Sequence, residues 1–330
     1  MIKNVIIILF FITWLLFPFS LHAEQYPTKP SNNIVHIKLT NASGIGNRIK
    51  NIISHIRYFQ PKHINLYWDD KGWVSAKFFD LFSPKWNATI TEYNSQYQIY
   101  NIFNYNEPLY PYINTYALLV AEDDFKNKKH QFIDGQYNNI PPEIIDIYTP
   151  YFRTLEPSMQ VKQRINQLNI PKNYVSVFFR NSDDWKKFFN ANEPVESFFK
   201  IMDTFPSNTI FYLSTLSKET ALPFYKRYPN RIIELPNKNY TSMIDAVADM
   251  YILGKSHTGI YSIGSTFSEV AWWLGGAKQK VIIVGSDKHW IKQIKVEKLK
   301  TFMDISSVSA INFSMRPTSP YLLSLTISHD

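Results

Sequence analysis

The apolar run Gly259 to Ile263 feeds straight into Gly264-Ser265-Thr266-Phe267-Ser268-Glu269-Val270-Ala271-Trp272-Trp273-Leu274-Gly275-Gly276. This junction restricts the chain to folds in which a strand hands over to a helix across a hydroxyl-rich turn. Thr266 and Glu269 have the spacing of a capping box. Gly275 and Gly276 then stop the helix where a left-handed residue is wanted. A strand–turn–helix of this kind points unpaired main-chain N–H groups and the positive end of the helix dipole into one crevice. That geometry suits the diphosphate of a nucleotide.

The same alternation recurs through most of the sequence and predicts an α/β fold. Ile34 to Leu39 reads as the first strand, Asn47 to Phe59 as a helix and Ile64 to Trp68 as the next strand. After a Pro141-Pro142 break and a helical stretch from Met159 to Leu168, a second series begins at Tyr174 to Arg180. Its further strands are Thr209 to Ser214, Arg231 to Leu235, Gly259 to Ile263 and Lys280 to Val284, with helices near Glu196, Lys218, Ser242 and Ser268. The expected organisation is two Rossmann-like lobes, residues 33–168 and 169–315, facing a central cleft, with a tail at 316–330. Ligands of such sheets bind beyond the carboxyl ends of the strands. The stretch from Thr91 to Asn114, dense in Tyr and Asn, reads as a long surface segment; the tyrosine-rich stretch Tyr93 to Tyr116 either stacks on sugar rings or is a wet, Asn-rich loop.

A chain of 330 residues that is 45% hydrophobic and 16% aromatic has enough apolar surface for a large core and is not a disordered one. Its net charge of +8 favours anionic partners. Lys126, Lys128 and Lys129 cluster without forming a long basic block, so a nucleic-acid footprint is not expected. No Asp-x-Asp motif and no His or carboxylate spacing suggests a metal site, and there is no cysteine. At the N-terminus, Lys3, the apolar run of residues 5–17, Pro18 and a small-residue site ending at Ala23 form a secretory signal pattern, residues 1–23, followed by a linker, 24–32. Export to the periplasm or medium is expected; the other reading is a membrane anchor formed by residues 5–17, which would be the chain's one membrane contact.

Three segments at strand ends carry candidate chemistry. Gly44-Ile45-Gly46-Asn47-Arg48 turns from the first strand into the first helix, and its glycines allow close approach of another backbone. A Rossmann fingerprint is not supported, because Ile49 stands where the third glycine belongs, and a simple tight turn is an equal reading. The second segment, Val175 to Asp184, is a strand ending in Arg180, whose guanidinium suits two phosphate oxygens. The other reading is a salt bridge from Arg180 to Asp183 or Asp184. The third is the pair Asp245 and Asp249 on one helix, either a solvated face or, for Asp249, a base-recognising carboxylate.

Taken in order, these segments resemble the fucosyltransferase superfamily that includes the α1,6-fucosyltransferases, the nodulation fucosyltransferase and the protein O-fucosyltransferases. Gly44 to Arg48 resembles the family's glycine-asparagine-arginine turn, and Val175 to Asp183 its strand ending in His-x-Arg-Arg-x-Asp. Phe211 to Thr215 resembles the strand that usually ends in Ala-Thr-Asp. Ala248 to Leu253 and Ser265 to Leu274 resemble its Asp-containing and Ser-Thr-Phe-Ser helices. Three departures stand out: Phe178 replaces the histidine, Asn181 the second arginine, and Leu216-Ser217 the acidic residues after Ala-Thr.

The resemblance implies a GT-B architecture and inverting, metal-independent transfer of fucose, or a related sugar, from a GDP-sugar to a glycan or protein acceptor, with no cofactor. On that basis Arg180 neutralises the departing diphosphate and Ser265, Thr266 and Ser268 donate to the same phosphates. Asp249 binds the base, while Asn47 and Arg48 reach the donor as the lobes close. Asp183, Asp184 and Glu269 are the candidates for a base or acceptor contact. Nucleotide sugars are made in the cytosol, so an exported chain is either anchored, supplied with donor by a host, or a catalytically inactive glycan- or nucleotide-sugar-binding protein that keeps the fold.

Overall fold

The computed structural model describes residues 33–39, 44–92, 118–120, 131–133, 142–180, 195–262 and 265–284. Both β/α series are present. The N-terminal series runs β1 (Ile34–Leu39), α1 (Ile45–Phe59), β2 (His63–Trp68), a single turn α2 (Phe78–Leu81), and the short strands β3 (Phe82–Pro84) and β4 (Ala88–Ile90). Strands β1, β2 and β4 form a parallel sheet in that order. Two three-residue strands, β5 (Leu118–Val120) and β6 (Gln131–Ile133), pair antiparallel.

A connecting region follows: α3 (Pro142–Arg153), β7 (Leu155–Pro157) and α4 (Met159–Asn166). Pro142 begins α3, because a proline in the first helical turn forfeits no hydrogen bond. β7 returns to pair antiparallel with β3, which no alternation of apolar residues announces in segments of three.

The second series is β8 (Val175–Phe179), α5 (Val195–Met202), β9 (Phe211–Thr215), α6 (Lys218–Arg227), β10 (Ile232–Ile233), α7 (Met243–Lys255), β11 (Thr258–Ser262), α8 (Thr266–Leu274) and β12 (Lys280–Val284). Its strands lie in the order β10-β9-β8-β11-β12, all parallel. The direction of winding reverses between β8 and β11, the switch point at which such sheets bind ligands. Every residue of β8, β9 and β11 is buried, as both faces of the sheet are covered.

One face is closed by α5 and α6, with Phe179, Phe198, Phe211 and Phe224 at the centre of that cluster. The other face shares a core with the N-terminal sheet: Val35, Ile37, Ile49, Ile53 and Leu66 belong to one continuous apolar cluster with Tyr148, Phe152, Met250, Tyr251 and Trp273. Phe152 of α3 stacks on Trp273 of α8 with ring centroids 5.1 Å apart and planes 5° from parallel. The helices α1, α3, α7 and α8 thus join the two sheets through apolar packing.

Three helix starts carry a serine cap. Ser158, Ser217 and Ser242 cap α4, α6 and α7, each side chain accepting from the N–H three residues on. Gly276, with φ +86°, supplies the left-handed residue expected after α8. The capping box at the start of that helix is absent. Its N-cap is Ser265, one residue earlier than the sequence pattern suggests, with no side-chain cap bond, and Glu269 is turned elsewhere.

Candidate functional site

The carboxyl end of β8 is Phe179, followed by Arg180, and the carboxyl end of its neighbour β11 is Ser262. The two are tied across the switch point, where the Arg180 main-chain N–H donates to the Ser262 hydroxyl at 2.8 Å. Just inside, Phe178 stacks on Phe267 in the first turn of α8, which fixes the helix start against β8. The Arg180 side chain is half-buried at this edge.

The start of α1 meets the start of α8. A Cβ placed on Gly46 would lie 2.6 Å from the main-chain carbon and oxygen of Thr266 and 2.8 Å from the nitrogen of Phe267, so only glycine allows this approach. One turn further along both helices, Lys50 Nζ donates to Glu269 Oε2 at 2.7 Å. Contacts that advance together in this way mean that α1 and α8 run side by side in the same direction, their N-termini adjacent. Neither start is closed by a side-chain cap: Gly44 precedes α1 and Ser265 precedes α8. The N-termini of α1 and α8 therefore lie side by side, two positive helix-dipole ends together, with Arg180 on the strand end tied to β11.

Several predicted site residues take up places other than those expected. Ser265 and Ser268 are wholly buried, and the Ser268 hydroxyl donates to the Ser265 carbonyl at 3.2 Å. Thr266 is half-buried at the crevice. Asn47, in the first turn of α1, has a buried side-chain oxygen without a hydrogen-bond partner among the described residues. Arg48 is fully buried, its guanidinium 4.7 Å from the Trp68 ring centroid and donating to the Asp69 carbonyl. Burial holds its pKa below the usual arginine value, opposed by the charges of Asp69 and Asp70. The expected reach of Arg48 to a donor is corrected on this ground: it staples the loop after β2 to α1.

Glu269 is corrected as well. It is fully buried, with one oxygen on Lys50 and the other accepting from Trp273 Nε1 at 3.2 Å, so it is neither a base nor an acceptor contact. Asp183 and Asp184 lie outside the described residues.

Asp249 is not on a solvated face. It is 2% exposed and accepts from Tyr212 at 2.5 Å and Ser214 at 2.6 Å, with Lys238 Nζ 2.7 Å from Oδ2. Burial, with Asp249 beside it, keeps the Tyr212 hydroxyl protonated far above the ordinary tyrosine range, so it remains a donor. Asp245, its neighbour one turn back, is paired with Arg164 at 2.7 Å. Lys238 in turn lies 3.6 Å from Glu234 and 4.9 Å from the Tyr240 ring centroid. Lys238, Glu234 and Tyr240 line an open cleft of about 560 Å³, completed by Lys218, Leu222 and Tyr225, at the carboxyl end of β10. Asp249 stands behind this lining rather than in it.

The sequence reading passed over Lys50, Ser262, Lys238 and Glu234. Ser262 alone carried a usable signal, as a hydroxyl at a strand's carboxyl end. The other three acquire their roles through partners distant in sequence. Among the described residues no group of three or more His, Cys, Asp or Glu is placed to hold a metal ion, and no helix is long and apolar enough to cross a membrane.

No protein-family model and no curated protein matches the chain in sequence. Among solved structures it is similar to the NodZ alpha-1,6-fucosyltransferase soaked with GDP-fucose, at 14% identity and a TM-score of 0.47, over 78% of this chain and 95% of that one. It is similar to the fucosyltransferase NodZ from Bradyrhizobium at 14% identity and a TM-score of 0.46, over 79% and 98%. Similarity to POFUT1 in complex with GDP is more partial, at 12% identity and a TM-score of 0.32, over 41% of this chain and 50% of that one.

Proposed function

We propose that this protein is an inverting, metal-independent glycosyltransferase of the fucosyltransferase type, using GDP-fucose or a related nucleotide sugar and a glycan or protein acceptor. The observation that carries the reading is the pair of adjacent, uncapped helix starts at the switch point, with Arg180 on the neighbouring strand end. Main-chain N–H groups at two adjacent helix starts, with an arginine on the neighbouring strand end, suit the charge that develops on a departing diphosphate. The cleft beyond β10 lies two strands away along the same edge, about 10 Å at the usual interstrand spacing. Its tyrosines and apolar walls suit a base and ribose.

In the reaction, an acceptor hydroxyl attacks the anomeric carbon from the face opposite the diphosphate, the bond from that carbon to the diphosphate oxygen breaks, and the hydroxyl proton passes to solvent as the nucleoside diphosphate leaves. Arg180 and the N–H groups of Thr266 and its neighbours take up the leaving charge. Asn47, in the first turn of α1, is the residue we assign to a sugar hydroxyl. Export through residues 1–23 is part of the proposal.

A binder without turnover is the second reading, and Phe178 favours it: a ring stacked on Phe267 stands where the family resemblance places a histidine. Incubating the full chain with GDP-fucose over a glycan and glycopeptide library separates the two. Release of GDP together with a fucosylated product supports the transferase, with Arg180→Ala lowering turnover at least about 100-fold. Glycan retention without GDP release supports the binder.

A further inference from the structure

The paired helix starts contain an apparent contradiction. A site built to attract phosphate has a carboxylate, Glu269, one turn inside α8, about 6 Å from the N-cap along the helix axis. Side chains on a helix tilt toward its N-terminus, which brings the charge nearer still. At this range a buried carboxylate acts on an anion in the crevice with little screening by salt. Both partners of the Lys50–Glu269 pair have 0% side-chain exposure, so water does not neutralise either. Lys50 comes from the other helix, α1, whose own start is the second half of the crevice.

We propose that Lys50 is the internal counter-ion of the phosphate site, a positioning residue that cancels Glu269 and so lets the two helix starts accept a diphosphate. The pair sets the site's anion affinity from behind, without touching the ligand. Glu269 therefore weakens the site it borders, and Lys50 returns it to the strength of the helix starts alone. This rests on the proposed nucleotide-sugar reading for the identity of the ligand, but the charge balance itself holds for any diphosphate.

The test uses two variants of the full chain, neither of which leaves a bare buried carboxylate: Glu269→Gln, which keeps the shape but offers one carbonyl oxygen in place of the two oxygens that accept from Lys50 and Trp273, and the double variant Lys50→Met/Glu269→Gln, which is neutral like the native pair. Calorimetric titrations with GDP, inorganic pyrophosphate and guanosine are compared, after circular dichroism and melting confirm folding. Glu269→Gln is expected to bind GDP and pyrophosphate about tenfold tighter, roughly 1.4 kcal/mol, with guanosine unchanged. The double variant is expected to return both anions to within about threefold of the native chain. Equal shifts for GDP and guanosine, or a Glu269→Gln variant that binds anions no better than the native chain, overturn the proposal and leave the pair a packing feature. Native protein that binds pyrophosphate with this charge signature but not GDP upholds the counter-ion role and overturns the nucleotide reading; native protein that binds neither overturns both.

Discussion

Phe178 at the end of β8 stacks on Phe267 in the first turn of α8, ring centroids 5.0 Å apart and planes 23° from parallel. The strand that delivers Arg180 and the helix start that faces it are therefore held as one unit by an apolar contact. Phe178 is 3% exposed, so truncation to alanine removes a buried ring and leaves a cavity costing about 3–5 kcal/mol. Denaturant unfolding of Phe178→Ala, Phe267→Ala and the double variant should show a coupling of about 0.5–1.5 kcal/mol between the rings. Additive losses would mean that the stack does not join the two elements.

Gly46 and Gly44 make a matched pair of tests. A methyl group on Gly46 runs into the Thr266 main chain, whereas one on Gly44 meets nothing within 4 Å. Gly46→Ala should destabilise the chain by about 1–3 kcal/mol through overpacking and separate the two helix starts, lowering GDP affinity at least tenfold. Gly44→Ala should do neither. Parallel melting and titration of the two variants checks this, and equal behaviour would contradict the close approach of α1 and α8.

Lys238 and Asp249 have side-chain exposures of 6% and 3%. Asp249→Asn leaves the ammonium group buried with only the more distant Glu234 opposite, 3.6 Å away, and should cost about 3 kcal/mol. Lys238→Met should cost less, because Tyr212 and Ser214 still donate to the carboxylate. Equilibrium unfolding orders the two; the reverse order would place the weight of the network on Glu234.

His36 gives stability a pH dependence on the acid side. Burial holds its pKa below the ordinary 6.5, while its ring contacts the Tyr67 hydroxyl at 3.0 Å. The unfolded chain takes up the proton first, so this contribution is fully present above about pH 6.5 and is lost as pH falls toward the lower folded value. Unfolding free energies between pH 5 and 8, compared with those of His36→Gln, should lose that part of the slope in the variant.

The two β/α series were legible because their signals are local. Ile34–Leu39 and Lys280–Val284 are strands over the same residues that the apolar runs mark. Arg180 at a strand end and the hydroxyl-rich start of α8 were legible for the same reason. The burial of Arg48, the diversion of Glu269 from a capping box to Lys50, and the enclosure of Asp249 were not. Each depends on a partner from another element: Trp68 for Arg48, Lys50 across 219 residues for Glu269, and Tyr212 across 37 for Asp249. A titratable side chain read from sequence carries its chemistry but not its neighbours, and here the neighbours decide whether it faces ligand or interior. The short pairing of β3 with β7 was hidden for a similar reason, since three residues give no period to read.

The central claim is that the crevice between α1, α8 and Arg180 binds the diphosphate of a nucleotide sugar. Calorimetric titration of the full chain with GDP-fucose, GDP, UDP and CMP, repeated with Arg180→Ala, tests it most directly. The account predicts saturable binding of GDP-fucose and GDP in preference to UDP and CMP, weakened at least tenfold by the substitution while the melting temperature stays unchanged. A folded, monodisperse chain that binds none of the four, or one whose affinity is indifferent to Arg180, would contradict it.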